Sequence, residues 1–392
     1  MITSEKATEL LAENRLSFGR YKKLGVGAMA SGNMTEDIVA DRMYPPFNRV
    51  MMDGIAVSFS VIENRRNSLK VLGVVAAGQK SPSLPAGDVC LEVMTGAVLP
   101  EGADLVIPYE DIKLKDGCAE LSHFDYPKGS SVHKAGTDLV KGAALKTEGA
   151  KLNGPLWGIL TSFGYPEVSV ESPRILLVAT GNELVDHRET PEQHQIRMSN
   201  VYALKGSLLS HGYHDVDIIH LLDDKDDISA HFSKASCGYD ILIYSGGVSK
   251  GKFDYLPEVW EEQGVEKIFH RIAQRPGKPL WYGVHKESAT EVFGLPGNPI
   301  SSLVCLHRYV LNSKPIKVQL STTVHFDRKL NYFLPASLSQ SERAVVLASP
   351  VSMKNSGQFA VLAESDGFLD LPAEQDEFEA GTVYDFYKWR PS

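Results

Sequence analysis

Apolar positions change their spacing several times along the chain, and each change marks a different kind of element. In residues 4 to 15, Ala7, Leu10 and Leu11 recur at helical spacing behind a Thr3 or Ser4 cap, which predicts an N-terminal helix. The segment YPPFNRVMMDGIAV (44 to 57) runs from a rigid Pro-Pro entry through Asp53-Gly54 into a short strand, and a DG pair between apolar runs ordinarily forms a turn. From 70 to 123, short β-rich runs such as KVLGVVAAG, DVCLEVMTG and DLVIPYEDI alternate with Gly and Pro turns, the pattern of a small all-β domain. Within it, Thr95 falls on a loop just after a strand. Helical spacing returns at Leu152, Leu156, Ile159 and Leu160, so the β-rich block reads as an insertion into a partly helical domain.

From residue 174 the rhythm becomes strand, loop, helix. RILLVATGNEL, DVDIIHL and DILIYS are followed by helices around 199 to 211, around 226 to 236, and after 254, and EVFGLPGNPISS opens a last helix through Tyr309. Strands alternating with helices predict a three-layer α/β domain around a mostly parallel sheet. In such a sheet the loops at the carboxyl ends of the strands converge on one crevice. Glu183, Asp223, Asp254 and the loop from Gly294 to Ser302 all follow predicted strands, so all are placed at that edge. Residues 315 to 392 turn β-rich again and suggest a separate small barrel. The fold class expected is therefore multidomain α/β plus β: an elongated, partly helical domain (1–47 and 137–172), an inserted β domain (48–136), the α/β domain (173–313) and a C-terminal β-barrel-like domain (314–392).

The stretch DILIYSGGVSKGKFD (240 to 254) carries the clearest chemistry. The apolar run Ile241 to Tyr244 stops at Gly246 and Gly247, and a glycine-rich turn feeding a helix lets backbone N–H groups approach phosphate oxygens. Asp254 there is either an N-cap or a residue facing a divalent cation beside that anion. Acidic residues after several strands, next to glycine-rich loops, suggest a Mg²⁺–phosphate site, because magnesium favours a few carboxylates plus phosphate oxygens and water. The other reading is solvated or capping carboxylates. The segment lacks the GK[ST] ending of a Walker A loop.

Composition narrows the class. At 392 residues the chain requires two to four domains, and its 43% apolar and 23% charged residues are those of a globular protein. The formal charge of −9 argues against a nucleic-acid surface while leaving room for a local basic pocket. No apolar run approaches a membrane span and the N-terminus has no signal-peptide character, so a cytoplasmic protein is expected. Cys90, Cys118, Cys237 and Cys305 lie far apart without zinc or disulfide spacing and are expected as small buried apolar residues.

In order and spacing, the segments MMDGIAV, TGAVLPEGADLVIPYED, AGTDLVKG, ATGNEL, SGGVSKGKFDY, RPGKP and GLPGNPISS resemble the molybdopterin molybdenumtransferase family, to which the C-terminal domain of gephyrin is related. The resemblance spans residues 1 to 313 closely and the last domain weakly. It implies a homodimer of elongated four-domain subunits. It also implies Mg²⁺-dependent transfer of molybdate onto the dithiolene of adenylylated molybdopterin with release of AMP, and transient contacts with a molybdopterin adenylyltransferase and apo-molybdoenzymes. By motif, it implies catalytic roles for Asp53, Thr95, Asp138, Glu183, Asp223 and Asp254, with Glu183, Asp223 and Asp254 the candidates to hold Mg²⁺. Gly246, Gly247, Ser249 and Gly251 would cradle pterin or nucleotide phosphate. Arg271, Arg275 and Lys278, and Pro296, Gly297 and Asn298, complete the implied cofactor-binding set. Asp53, Thr95 and Asp138 would reach the site from a neighbouring subunit.

The chain also departs from the family. Arg271 and Arg275 replace lysines, exchanging a point charge for a bidentate fork. Val50 stands where a serine precedes the MDG segment, Ile55 replaces a tyrosine, and Met198 occupies an often acidic position. In the last domain an arginine is replaced near Pro335, and a Gly-Ser pair appears as Ser356-Gly357. Two further readings stay open: a non-catalytic pterin-binding dimeric scaffold, and a molybdopterin adenylyltransferase-like enzyme.

Overall fold

A computed structural model describes residues 1–28, 30–249, 251, 254–352 and 357–390; Lys250 and the Ser356 half of the Ser356-Gly357 pair lie outside the described residues. The chain forms two compact units. One comprises Met1–Thr35, Gly149–Gly154 and Glu167–Ser392; the other Glu36–Glu148 and Pro155–Pro166.

The larger unit is built on a six-stranded sheet. Its order runs Asp215–Leu221, Arg174–Thr180, Ile241–Ser245, Thr290–Leu295, Trp281–His285, Glu266–His270. The first four strands pair in parallel, and only Trp281–His285 runs against the rest, pairing antiparallel with both its neighbours, so the sheet is mostly parallel, as the βα rhythm predicts. Side chains of Arg174–Thr180 alternate between two cores. Ile175, Leu177 and Ala179 pack with Leu204 and Leu208 of the helix Asn200–Ser210, while Leu176 and Val178 pack with Ile228, Phe232 and Trp260 on the opposite face. The three-layer expectation follows from this period-two alternation in a strand covered on both sides.

Local chemistry sets the helix starts. Thr3 caps the helix Ser4–Asn14, its hydroxyl accepting from the Lys6 N–H, and Ala7 and Leu11 join the first core. Asp224 caps Lys225–Ser236 by accepting from the Asp226 and Asp227 N–H groups. Asp254 does not cap: the next helix spans Leu256–Glu262 with Tyr255 at its N-cap.

The C-terminal strands Asn331–Gln340, Val346–Pro350, Ile316–Leu320, Val383–Lys388 and Gly367–Leu371 pair in that order, and the last pairs back to the first, closing a five-stranded barrel. Its core includes Val318, Leu334, Leu369 and Phe386. A second cluster joins Ile300 and Val304 of the helix Pro299–Cys305 to Phe333, Val361, Phe368 and Tyr387, which fixes one side of the barrel to the α/β layer within the same unit. Truncating one such fully buried aromatic costs about 3–5 kcal/mol, so the attachment is firm.

The smaller unit holds a six-stranded sheet ordered Leu105–Pro108, Gly54–Val57, Val89–Val93, Ser68–Val75, Cys118–Leu121, Ile112–Lys115. Gly54 lies where two strands of this sheet approach closely. A Cβ there would stand 2.0 Å from the Ile107 carbonyl oxygen, so only glycine lets these strands pair. Val50 and Ile55, two of the departures, are buried in the cores of this unit and change packing rather than any exposed group.

Among the described residues no helix is long and apolar enough to cross a membrane. All four cysteines are free thiols, and Cys90 and Cys305 are buried as expected. Two cysteines correct that expectation: Cys118 is only partly buried, and Cys237 ends the helix Lys225–Ser236 in an exposed position, its thiol directed at the Ser233 carbonyl.

Candidate active site

In parallel register, Thr180 lies beside Leu221, Ala179 beside Ser245, and Ser245 beside Leu295, so the loops that follow these strands leave one edge of the sheet together. They enclose a pocket of about 840 Å³. Glu183, Asp223 and Asp254 all line it, as do Gly246, Gly247 and Ser249. Pro296, Gly297 and Asn298 form another part of the wall. Gly251 lies in the same loop, held to Asp254 through its N–H.

Asp254 organises that loop. Its Oδ2 accepts from the Ser249 hydroxyl and the Gly251 N–H, each at 2.6 Å, which closes a short turn between the strand and the helix. Gly246 has φ of +109°, and a Cβ there would come within 2.8 Å of Thr180 Oγ1 and 2.9 Å of its carbonyl oxygen. The glycine is thus required by both backbone and space. Its N–H donates to the Leu295 carbonyl at 3.1 Å, so Gly246 and Gly251 serve the loop's shape, a different task from the bare phosphate donors that the glycine pattern suggests.

The electrostatics are those of crowded carboxylates. Burial, then the charge on Glu183, then that on Asp254, push the Asp223 carboxyl above its ordinary range, against the pull of the Asn182 contact and His220. The Asp223 N–H donates to Asn182 Oδ1 at 3.0 Å, and His220 contacts the Gly181 carbonyl at 2.8 Å, so both perturbing strand ends are braced. Among the described residues no three His, Cys, Asp or Glu side chains are drawn close enough to form a ready metal cage. The carboxylates face one pocket without closing on one point, an arrangement suited to a cation that keeps water and substrate oxygens in its shell.

The basic cluster divides. Arg271, at φ +74°, reaches the Ser249 carbonyl with Nη2 at 3.4 Å and so touches the glycine loop. Arg275 belongs to a two-residue strand, Gln274–Arg275, paired beside Asn331 and Tyr332 of the barrel, and Lys278 is exposed in the following turn. Neither lines the pocket. Pro335, near the expected arginine of the last domain, is buried inside a barrel strand paired with Phe368.

Asp53, Thr95 and Asp138 lie in the smaller unit. One oxygen of Asp53 accepts from both the N–H and the hydroxyl of Thr95, each at 2.7 Å, and these two bonds lower the Asp53 carboxyl below its ordinary range. Asp138 meets His133 Nε2 at 2.9 Å, while Arg49 meets the other ring nitrogen at 3.1 Å. An arginine can only donate, so Nδ1 accepts and Nε2–H donates to Asp138. All three acidic or hydroxyl side chains are exposed, which leaves them open to a ligand.

Comparison with known proteins covers the chain from end to end. Residues 2–164 match the MoeA N-terminal region (domain I and II), residues 176–315 a probable molybdopterin binding domain, and residues 317–389 the MoeA C-terminal region (domain IV). A Synechocystis sp. molybdopterin molybdenumtransferase is 48% identical over 391 residues, 99% of this chain and 100% of that one. The chain belongs to the molybdopterin molybdenumtransferase family. The Bacillus subtilis molybdopterin molybdenumtransferase is 30% identical over 89% of this chain and 85% of its own. The molybdopterin biosynthesis MoeA protein of Pyrococcus horikoshii superposes with a TM-score of 0.79 at 29% identity, covering 100% of both chains. A molybdopterin biosynthesis MoeA protein of Pyrococcus horikoshii OT3 shares the fold with a TM-score of 0.81 at 22% identity, covering 99% of this chain and 100% of that one.

Within this family fold, some pocket residues carry no motif signal. Asn200 is the first residue of the helix Asn200–Ser210, and its amide donates to Ser245 Oγ at 3.1 Å and to the Gly297 carbonyl at 2.7 Å, tying two of the converging loops. Met198, the departure beside it, also lines the pocket. Phe359 lines it from the C-terminal region although 65% exposed, and its place shows only once the barrel is docked.

Proposed function

We propose that this protein transfers molybdate onto the dithiolene of adenylylated molybdopterin, with release of AMP, to give molybdenum cofactor. The observation that carries this reading is the meeting of Glu183, Asp223 and Asp254 with the Gly246–Ser249 loop in one pocket. A loop stapled by Asp254 presents a fixed surface to a phosphate group, and three carboxylates on the same pocket supply the charge that a divalent cation requires. The raised Asp223 carboxyl supports that fit: excess negative charge in a half-buried pocket is relieved when a cation binds. Glu183, Asp223 and Asp254 would hold Mg²⁺, which when bound neutralises charge on a phosphoanhydride and activates water. Arg271, which touches the glycine loop, supplies donors for the tetrahedral oxyanions, while Arg275 and Lys278, outside the pocket wall, would meet only a part of the ligand that extends beyond it.

The reading includes pairing of two copies, the partner contributing Asp53, Thr95 and Asp138, and a cytoplasmic location in which adenylylated molybdopterin is received from an adenylyltransferase and the product passed to apo-molybdoenzymes. It also keeps the four-part division of the chain at 1–47 with 137–172, 48–136, 173–313 and 314–392. The test compares AMP release by the wild type with Asp254→Asn and Glu183→Gln. Each keeps size and removes charge, and a fall of at least about tenfold, or about 1.4 kcal/mol of barrier, with an unchanged melting profile is expected. Wild-type rates in both variants would return these carboxylates to a structural role.

A further inference from the structure

The pocket's polar wall accounts for phosphate and cation, but its apolar side chains have no task in that reading. Two large ones stand out. Ile196 is 58% exposed and Phe359 is 65% exposed, and both line the pocket. Single exposed apolar residues are ordinary on protein surfaces, so exposure alone decides nothing. Their position does: they come from two separate structural layers, the α/β domain and the segment after the barrel strand Val346–Pro350, and reach the same cavity.

The placement of Phe359 follows from packing. Val361, two residues on, is only 2% exposed and is buried against Ile300 and Val304 of the helix Pro299–Cys305. Pro299, at the start of that helix, is itself part of the pocket wall, as is Gly357 two residues before Phe359. Backbone bonds from the Phe359 N–H to the Gly357 carbonyl, and from the Leu362 N–H to the Phe359 carbonyl, both 2.9 Å, shape the segment without using the ring. An anchored backbone therefore presents an unburied aromatic face to the cavity.

We propose that Phe359 is a specificity residue that stacks on a planar heteroaromatic ring of the substrate, with Ile196 as a second apolar contact. Every such ring offers a π face, and an aromatic side chain on an anchored backbone has only two rotatable bonds to order when it stacks. The ring is either the pterin or the adenine of adenylylated molybdopterin, and the inference rests on the proposed function for that identity.

The experiment uses full-length wild type, Phe359→Ala and Phe359→Tyr. Equilibrium binding of AMP, and of adenylylated molybdopterin without molybdate, is measured alongside AMP release with molybdate. Because the ring is exposed and the backbone bonds are independent of it, all three proteins melt alike. Phe359→Ala is expected to weaken adenylylated molybdopterin binding by about tenfold, within the range that loss of one stacking side chain produces, and to raise KM similarly with kcat within about twofold. Phe359→Tyr keeps the π face and stays near wild type. Parallel loss of AMP affinity assigns the adenine ring, and unchanged AMP affinity assigns the pterin. An active wild type whose Phe359→Ala variant binds adenylylated molybdopterin equally well overturns the platform alone. A wild type that binds neither ligand and releases no AMP overturns the proposed function as well.

Discussion

Replacing Asp223 with Asn should stabilise the protein while disabling it. The side chain is half-buried, and its ionised form is opposed first by burial, then by Glu183, then by Asp254. A carboxyl raised in the folded state binds more protons folded than unfolded, so wild-type stability falls as pH rises through the window above the ordinary Asp value of 3.8. Asparagine keeps the shape and removes the charge. The loop should hold, because the Asp223 backbone N–H still donates to Asn182 Oδ1 and the new amide oxygen can accept from the Asn182 backbone as the carboxylate does. Relief of one repelled, half-buried charge at neutral pH is worth about 1 kcal/mol, typical of substitutions that relax an active site. For a cooperative unit of this size that corresponds to a rise in Tm of about 2–4 °C. Scanning calorimetry of both proteins at pH 7 and pH 4 measures it. The difference should shrink toward pH 4, because a carboxyl raised above 3.8 is increasingly protonated in that direction, and Mg²⁺ at pH 7 should raise the wild type more than the variant. AMP release should fall by at least about tenfold. A variant that folds normally yet melts at or below the wild-type temperature at pH 7 refutes the reasoning, because the ionised Asp223 would then not be opposed by burial and its acidic neighbours.

Gly54→Ala forces a methyl group to within 2.0 Å of the Ile107 carbonyl, so strand pairing must open and urea unfolding of the smaller unit should lose about 2–3 kcal/mol. Thr95→Val removes one of the two bonds to Asp53 but keeps the N–H donor, so the Asp53 carboxyl, followed by NMR, should titrate higher while staying below its ordinary range, and AMP release should drop by about tenfold without loss of fold. His307 is fully buried beside His211 and Trp389, and burial pushes its imidazole down to about 3. A histidine depressed in this way stays neutral when folded and is protonated when unfolded, so stability is intact above its ordinary value near 6.5 and is lost as pH falls toward 3. Between pH 7 and pH 4 the loss is about 3 kcal/mol, and denaturant titrations of wild type and His307→Leu should show a shallower acid slope in the variant.

The parallel core was legible because strands covered on both faces are short continuous apolar runs, and Ile241 to Tyr244 ending at two glycines reads the same way in sequence and structure. The convergence of Glu183, Asp223 and Asp254 was also legible, since carboxyl ends of parallel strands must share an edge. The local role of Asp254 was not. Capping and loop-stapling use the same acceptor chemistry near the same helix start, and only the positions of Ser249 and Gly251 distinguish them. Asn200 and Phe359 escaped for a different reason: each reaches the pocket through packing between segments far apart in sequence, which no local pattern encodes. The closeness of Arg271, Arg275 and Lys278 along the chain hid their separation. A strand pairing takes Arg275 to the barrel while Arg271 turns to the glycine loop.

The central claim is tested most directly by a single-turnover measurement. Purified protein in excess over adenylylated molybdopterin is mixed with molybdate and Mg²⁺, and AMP is quantified over time. The account predicts one AMP per substrate, dependent on both molybdate and Mg²⁺ and suppressed in Asp254→Asn. AMP release that is absent from the wild type, or that proceeds equally in Asp254→Asn, would contradict it.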